Sequence, residues 1–195
     1  MQQQQTTDNI LKQYEEPIMN TQITDPTMII NFLRGIGGDH LGRKLSDHIN
    51  CSDNELEKCH DRIQWMFPLH EASNFAEVYP VVNPALVETA LEFPEVQTHL
   101  LQSLRRMEKF FGLFDSGIGY DRVRVADWCN NGNHNLLRIT RIIRSLRLFG
   151  LEFWAFEFYW QVRNIAENNG IEQFTLSKWE QAMSQPMWYS LRRKD

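Results

Sequence analysis

The chain has 195 residues, of which 42% are hydrophobic and 12% aromatic, so one domain with a buried core is expected. The net charge of −5 argues against general nucleic-acid binding. No apolar run reaches the roughly 18 residues of a membrane span, and the polar N-terminus does not resemble a secretory signal. The three cysteines form no C-x-x-C pair, which favours free thiols in the cytoplasm and no metal site.

The first part of the chain predicts short helices separated by turns. Residues 1–24 are rich in Gln and Thr, and we interpret them as a flexible polar lead. Asp25-Pro26 is typical of a helix start, because Asp caps free N–H groups and proline suits the first helical position. The segment Gly35–Arg43 is rich in glycine, but no strand precedes it, so a turn is favoured over a phosphate-binding loop.

The middle of the chain predicts further helices. Ser52 and Glu55 form a capping-box pattern that begins a helix expected to run through Phe67. Asn83-Pro84 begins a short helix, and residues 95–111 have the apolar spacing of a longer one. Residues 123–125, with the sequence VRV, are the nearest match to a strand and are too short to build a sheet.

The most apolar predicted helix lies within residues 133–150. Leucine, isoleucine and phenylalanine recur there at three- and four-residue steps, and Gly150 can adopt the left-handed conformation that follows a helix end. Four arginines recur at every third position, so they wind onto the flanks of the apolar stripe. Snorkelling and local salt bridges therefore explain them better than a nucleic-acid-binding stripe does.

The helix that follows is crowded with aromatic side chains. Six of the eight residues in Phe153–Trp160 are aromatic, and they surround the helix on nearly every side. Burying all of them in a domain of this size is difficult, so a protein partner, a peptide groove or a homodimer face is predicted here.

These patterns together predict an all-α fold, a single-domain helical bundle of about six to eight helices with no significant sheet. The domain is expected to span residues 25–185. Residues 186–195 are interpreted as an aromatic and basic C-terminal tail.

Two segments carry a resemblance to a known family. The sequence HDRIQWMFPL (His60–Leu69), followed by NHNLLRITRIIRSLRLFGL (Asn133–Leu151), resembles the conserved domain of the opioid growth factor receptor family. Weaker similarity extends to FLRGIGGDHLGRKLSDHI (Phe32–Ile49) and KFFGL (Lys109–Leu113), so that roughly residues 27–183 are covered. That domain occurs in animal receptors and in short stand-alone microbial proteins, and this chain is similar to the short type.

The resemblance implies an all-helical domain and signalling receptor activity towards an opioid peptide. Membrane association is implied only at the level of receptors in the family. The expected function is therefore a non-enzymatic module that binds a ligand, a peptide or a protein partner.

The residues of the two main motifs predict a polar pocket. If their helices are in contact, His60, Gln64, His134 and Arg138 converge, and free N–H groups at the start of the second helix favour an anion there. The ligand would be an anionic small molecule or a peptide. The candidate ligand-binding residues are His60, Gln64, Trp65, Asn133, His134, Asn135, Arg138 and Arg141.

The sequence leaves three alternatives to a binding pocket open. These polar residues could be scaffolding, with the arginines paired to Asp61, Glu57 or Asp121. The pocket could instead belong to an enzyme acting on an anionic small molecule, although no catalytic motif assigns a catalytic residue. Metal binding is disfavoured because the cysteines lack zinc spacing, and no cofactor is expected.

Overall fold

Ten helices and one pair of short strands make up the part of the chain that the structure, a computed structural model, describes: residues 21–73, 76–114 and 119–186. The all-α class is confirmed, with ten helices in these ranges where six to eight were expected. In chain order the elements are β1 (Thr21–Ile23), α1 (Pro26–Leu33), α2 (Leu45–Ile49), α3 (Asp53–Lys58), α4 (His60–Met66), β2 (Val78–Pro80), α5 (Pro84–Ala90), α6 (Pro94–Phe111), α7 (Arg122–Trp128), α8 (Asn135–Leu148), α9 (Glu152–Asn168) and α10 (Gln173–Ser184).

Two local differences from the sequence expectation explain part of the larger number of helices. The predicted helix through Phe67 is interrupted at Cys59, whose extended backbone (φ −95°, ψ 90°) ends α3 and precedes α4. The VRV segment is helical and not strand-like, because the Asp121 carboxylate accepts hydrogen bonds from Val123 N and Arg124 N at the start of α7.

A small sheet joins the start of the described chain to its middle. Strands β1 and β2 are parallel, with Thr21 opposite Val78 and Ile23 opposite Pro80. The end of the expected flexible lead therefore lies in this sheet. Residues 1–20 and 187–195, which include most of the predicted lead and tail, lie outside the described residues.

Helix α8 lies at the centre of the molecule, as its sequence predicts. Ile139, Ile142, Ile143 and Leu146 are fully buried, and α8 contacts both α9 and α10. Gly150 follows α8 with φ +74°, a left-handed conformation that glycine adopts without steric cost. The predicted apolar stripe therefore forms the middle of the core.

The two motif segments lie against each other, and this contact positions the candidate site. The backbone carbonyls after α4 accept hydrogen bonds from α8: Pro68 O from Ser145 Oγ at 3.0 Å, and Phe67 O from Arg141 Nη1 at 3.1 Å.

Within the described ranges no helix has both the length and the apolar content needed to cross a membrane.

Candidate functional site

A cleft of about 180 Å³ lies between α4, the segment that follows it, and α8. Four apolar residues contribute to its wall, together with histidine, arginine, glutamine, glutamate and hydroxyl side chains. The lining residues are His60, Ile63, Gln64, Leu69, Glu71, Ala72, Ser73, His134, Leu137, Arg138, Thr140, Arg141 and Arg144. Five of the eight residues predicted from the sequence are thus brought together: His60, Gln64, His134, Arg138 and Arg141.

Two histidines form one end of the cleft. The rings of His60 and His134 meet edge to face, with centroids 5.3 Å apart. Burial lowers the pKa of His60, and the positive charge of Arg138 lowers it further. His60 is therefore neutral near pH 7 and can accept a hydrogen bond or a proton.

Glu57 occupies the start of α8, where an external anion was expected. Its carboxylate accepts from Asn135 Nδ2 at 3.2 Å and from Arg138 Nη1 at 3.3 Å, and it lies 3.2 Å from His134 Nε2. Arg138 Nη2 also donates to the Glu57 carbonyl at 2.9 Å. Glu57 thus supplies the negative charge that the start of α8 favours. An external anion would therefore bind further along α8.

Arg141 also lines the cleft, and it has no carboxylate within ion-pair distance among the described residues. One of its N–H groups donates to the Phe67 carbonyl at 3.1 Å. Burial lowers its pKa to about 10, with a further lowering from neighbouring Arg144 that Glu71 partly offsets. Arg141 is thus still charged near pH 7 and is held in a site that does not neutralise it.

An ion pair also lines the cleft. Arg144 binds both oxygens of the Glu71 carboxylate, with Nη1 at 2.6 Å from Oε2. This pair holds the pKa of Glu71 below its usual range, chiefly through the hydrogen bonds from Arg144. Gln64, which is 5% exposed, lines the same cleft and keeps its Oε1 buried without a hydrogen-bond partner in the described part of the chain.

The remaining three predicted residues do not line the cleft, and each makes contacts within the fold instead. Trp65 is fully buried, and its Nε1 donates to His40 Nδ1 at 3.1 Å. Asn133 Oδ1 accepts from Asn135 N at 2.9 Å, which caps the start of α8 as its sequence predicts. Asn135 is buried and holds Glu57.

Sequence reasoning missed several residues of the cleft. Arg144 is three positions after Arg141, so helical spacing alone indicated that it could share the same face. Glu71 lies in a segment without periodicity, and no sequence signal placed it opposite α8. Of the acidic partners considered for the arginines, Glu57 pairs with Arg138, whereas Asp61 pairs with Arg43 and Asp121 caps α7.

A second charged cluster, here called the Asp39 cluster, consists of Asp39, Arg43, His48 and Asp61. Arg43 lies 2.6 Å from the Asp39 carboxylate and 2.5 Å from that of Asp61. His48 Nε2 lies 3.1 Å from Asp39, and its pKa is lowered by burial to about 4. The side chains of Asp39, His40 and Asp61 each have an atom that could coordinate a metal ion, and these three atoms lie within 4.8 Å of one another. Because Arg43 already binds both carboxylates, we interpret the cluster as an ion-pair network.

The aromatic helix α9 is only partly buried. Phe158 and Tyr159 face the core, whereas Phe153, Phe156 and Trp160 are 64%, 46% and 44% exposed. The exposed three follow one another at three- and four-residue steps, so they form a single stripe, here called the aromatic stripe.

Comparison with known proteins relates these features to a family. "Opioid growth factor receptor" of Homo sapiens is 36% identical over 115 residues, which cover 53% of this chain and 16% of the human protein. "Opioid growth factor receptor-like protein 1" of Mus musculus is 32% identical over 105 residues, which cover 50% of this chain and 22% of that protein. The matched segment is thus only a small part of these relatives. No solved structure gives a significant match.

The family itself is identified by a longer match. The sequence model of the "Opioid growth factor receptor (OGFr) conserved region" matches residues 42–194, which include both motif segments and the cleft between them. That range is well over half of the 195 residues. The chain therefore belongs to the OGFr conserved-region family.

Proposed function

We propose that the protein is a non-enzymatic binding module that holds an anionic group of a small molecule or a peptide in the cleft between α4 and α8. The observation that supports this best is Arg141, a partly buried guanidinium that lines the cleft without a carboxylate of its own among the described residues. A charge that is partly withdrawn from water and has no counter-charge is costly, so an anion that binds there gains a charge-assisted contact.

The names of the relatives agree with this role at a coarse level. Two of them are called receptor and receptor-like protein, and a receptor must bind a ligand. The match covers at most 22% of their length, so their whole-protein activity comes to this chain only as a proposal. The receptor activity proposed here therefore concerns the conserved region and its cleft.

A thermal-shift screen tests the proposal directly. Ligands that bind only the folded state raise the melting temperature, so the purified protein is heated with carboxylates, phosphorylated metabolites, sulfate and short peptides. We expect a shift that is lost in Arg141→Met and kept in Arg163→Met, a matched control on α9 whose partners are Tyr159, Glu167 and Glu180. No shift with any anion, or an equal loss in both variants, contradicts the proposal.

The runner-up is an enzyme that acts on an anionic small molecule in the same cleft. Neutral His60 supports it, because its lowered pKa suits a general base beside the arginines. Catalysis predicts turnover of a bound ligand that disappears in His60→Ala or His134→Ala while the fold survives. The binding module predicts an affinity change in these variants and no turnover of any ligand found in the screen.

The aromatic stripe supports a second role, contact with a protein partner or with another copy of the chain. Three aromatic rings exposed on one helix face are typical of interaction surfaces. Sedimentation of the protein over a range of concentrations tests the homodimer, and Phe156→Ser should abolish any dimer found. A monomer at all concentrations rejects the homodimer and leaves a different protein as the partner to be sought.

We also propose that the protein works in a reducing compartment such as the cytoplasm. All three cysteines are free, and burial raises the pKa of the Cys129 thiol to about 11. Free thiols of this kind are typical of reducing compartments. Expression with a fluorescent tag and imaging tests the location.

A further inference from the structure

We propose that the anion bound in the cleft is a monocarboxylate with an apolar group next to it, such as the C-terminal residue of a peptide or a small hydrophobic carboxylic acid. This inference rests on the proposed function, which requires only that some anion binds. It follows from the charges, the unpartnered polar groups, the apolar wall and the size of the cleft.

The charge of the cleft leaves room for one negative charge. Of its three arginines, Arg138 is paired with Glu57 and Arg144 with Glu71. Arg141 alone lacks a carboxylate among the described residues. A monoanion neutralises it, whereas a phosphate dianion adds a second charge between two carboxylates that repel it.

The unpartnered polar groups match the two oxygens of a carboxylate. Arg141 uses one N–H group on the Phe67 carbonyl, and the rest of its planar fork can bind a carboxylate side on. Gln64, 5% exposed, lines the same cleft with an amide that has both donors and an acceptor. Its buried Oε1 has no hydrogen-bond partner among the described residues, so an N–H group next to the carboxylate, as in a peptide terminus, would satisfy it.

The wall of the cleft favours an apolar group beside the charge. Ile63 and Leu69 are buried at the cleft, and Leu137 is 53% exposed while it lines the same space. Covering Leu137 removes apolar surface from water, which stabilises the complex without any further polar contact. A ligand with an alkyl or aromatic group near its carboxylate makes use of this surface.

The size of the cleft limits the ligand. Its volume of about 180 Å³ is smaller than the roughly 300–1,000 Å³ typical of sites for drug-sized molecules. A chain end or a small acid fits such a space, whereas a nucleotide would place most of its atoms outside it.

Isothermal titration calorimetry with four probes tests the inference on the full chain. The probes are N-acetyl-leucine, its carboxamide N-acetyl-leucinamide, 4-methylpentanoate and inorganic phosphate. We expect N-acetyl-leucine to bind at least tenfold more tightly than the carboxamide and than phosphate, because only the carboxylate supplies a single charge beside an apolar group. A stronger signal with N-acetyl-leucine than with 4-methylpentanoate indicates a peptide terminus as the source, and the reverse indicates a free acid.

Three variants and one control locate the binding. Arg141→Met and Gln64→Leu should each weaken N-acetyl-leucine at least tenfold, whereas Arg163→Met on α9 should leave its affinity unchanged. Leu137→Asn changes a residue of the cleft wall that is 53% exposed, and it should weaken the binding of N-acetyl-leucine and of 4-methylpentanoate. This variant keeps the test valid if the buried substitutions impair folding.

The outcomes separate this inference from the proposed function. If phosphate or another dianion binds more tightly than the carboxylates and depends on Arg141, the monocarboxylate inference is wrong while anion binding stands. If the carboxamide binds as well as the acid, the charge is not recognised and both are wrong. If no anion in the screen binds, both are likewise wrong.

Discussion

The Asp39 cluster and the cleft are both built from charged side chains at the edge of the core, but they differ in whether each charged group has an opposite charge beside it. In the Asp39 cluster one arginine lies between two carboxylates, and Asp39 also accepts from the backbone N–H groups of Leu41 and Arg43. In the cleft, Arg141 and Gln64 have no such partners. A matched cluster contributes to stability, whereas an unmatched one is available to a ligand.

The largest expected effect comes from breaking the matched cluster. Asp39→Ala leaves Arg43 and buried His48 without their shared carboxylate, so the free energy of unfolding should fall by about 3–5 kcal/mol. Urea denaturation followed by circular dichroism measures this. Asp25→Ala is the control, because it removes only an exposed helix cap and should cost about 1 kcal/mol. Equal losses in the two variants would show that the network does not stabilise the fold.

The next effect is the pH dependence of stability that the same cluster predicts. Burial lowers the pKa of His48 from 6.5 to about 4. Between these pH values the His48 ring is therefore protonated in the unfolded chain and neutral in the folded protein. Stability should therefore fall as the pH drops from 6.5 towards 4, by at most about 1.4 kcal/mol per pH unit for this group. Below pH 3.8, loss of the Asp39 charge continues the decline, because its pKa is also lowered in the folded state.

Urea denaturation at a series of pH values measures that slope, and nuclear magnetic resonance follows the ring protons of His48 directly. His48→Gln should flatten the slope between pH 6.5 and 4. A His48 ring that titrates near 6.5 in the folded protein contradicts the explanation.

A smaller effect on stability, but a large effect on binding, is expected in the unmatched cluster. Arg141→Met removes a partly buried charge that has no carboxylate and loses one hydrogen bond to Phe67, so the two contributions oppose each other. The free energy of unfolding should change by no more than about 1 kcal/mol. Anion affinity should nevertheless fall at least tenfold in calorimetry. A loss of stability as large as that of Asp39→Ala would make Arg141 part of the scaffold and remove the contrast between the regions.

The smallest effect on stability is expected from changing the balance of positive and negative charges within the cleft. Glu71→Gln removes a half-exposed carboxylate and leaves Arg144 as a second unpaired guanidinium. Stability should change by less than about 1 kcal/mol, because the pair is partly solvated. Phosphate affinity should rise severalfold, since the cleft then carries two uncompensated charges. Unchanged phosphate binding would show that the charge count does not set the specificity.

Some parts of the molecule could be predicted from the sequence and others could not. Helix α8 was predictable because its apolar spacing, its polar start at Asn133 and its terminal Gly150 all agree. The convergence of His60 and Gln64 with His134, Arg138 and Arg141 followed from placing the two motifs on adjacent helices. The break at Cys59 and the helix at VRV were missed, because the extended backbone at Cys59 has no strong sequence signal and three residues carry too little periodicity.

The composition and periodicity of the sequence by themselves determined the all-α class and the central position of α8, and they named five of the residues that line the cleft. Tertiary structure alone decided which of those charges are neutralised. Glu57 and Glu71 reach α8 from segments more than 70 residues earlier in the chain, and this pairing leaves Arg141 as the arginine of the cleft without a carboxylate among the described residues. Local propensity carries no information about such distant pairs, because they depend on how separately formed helices come together.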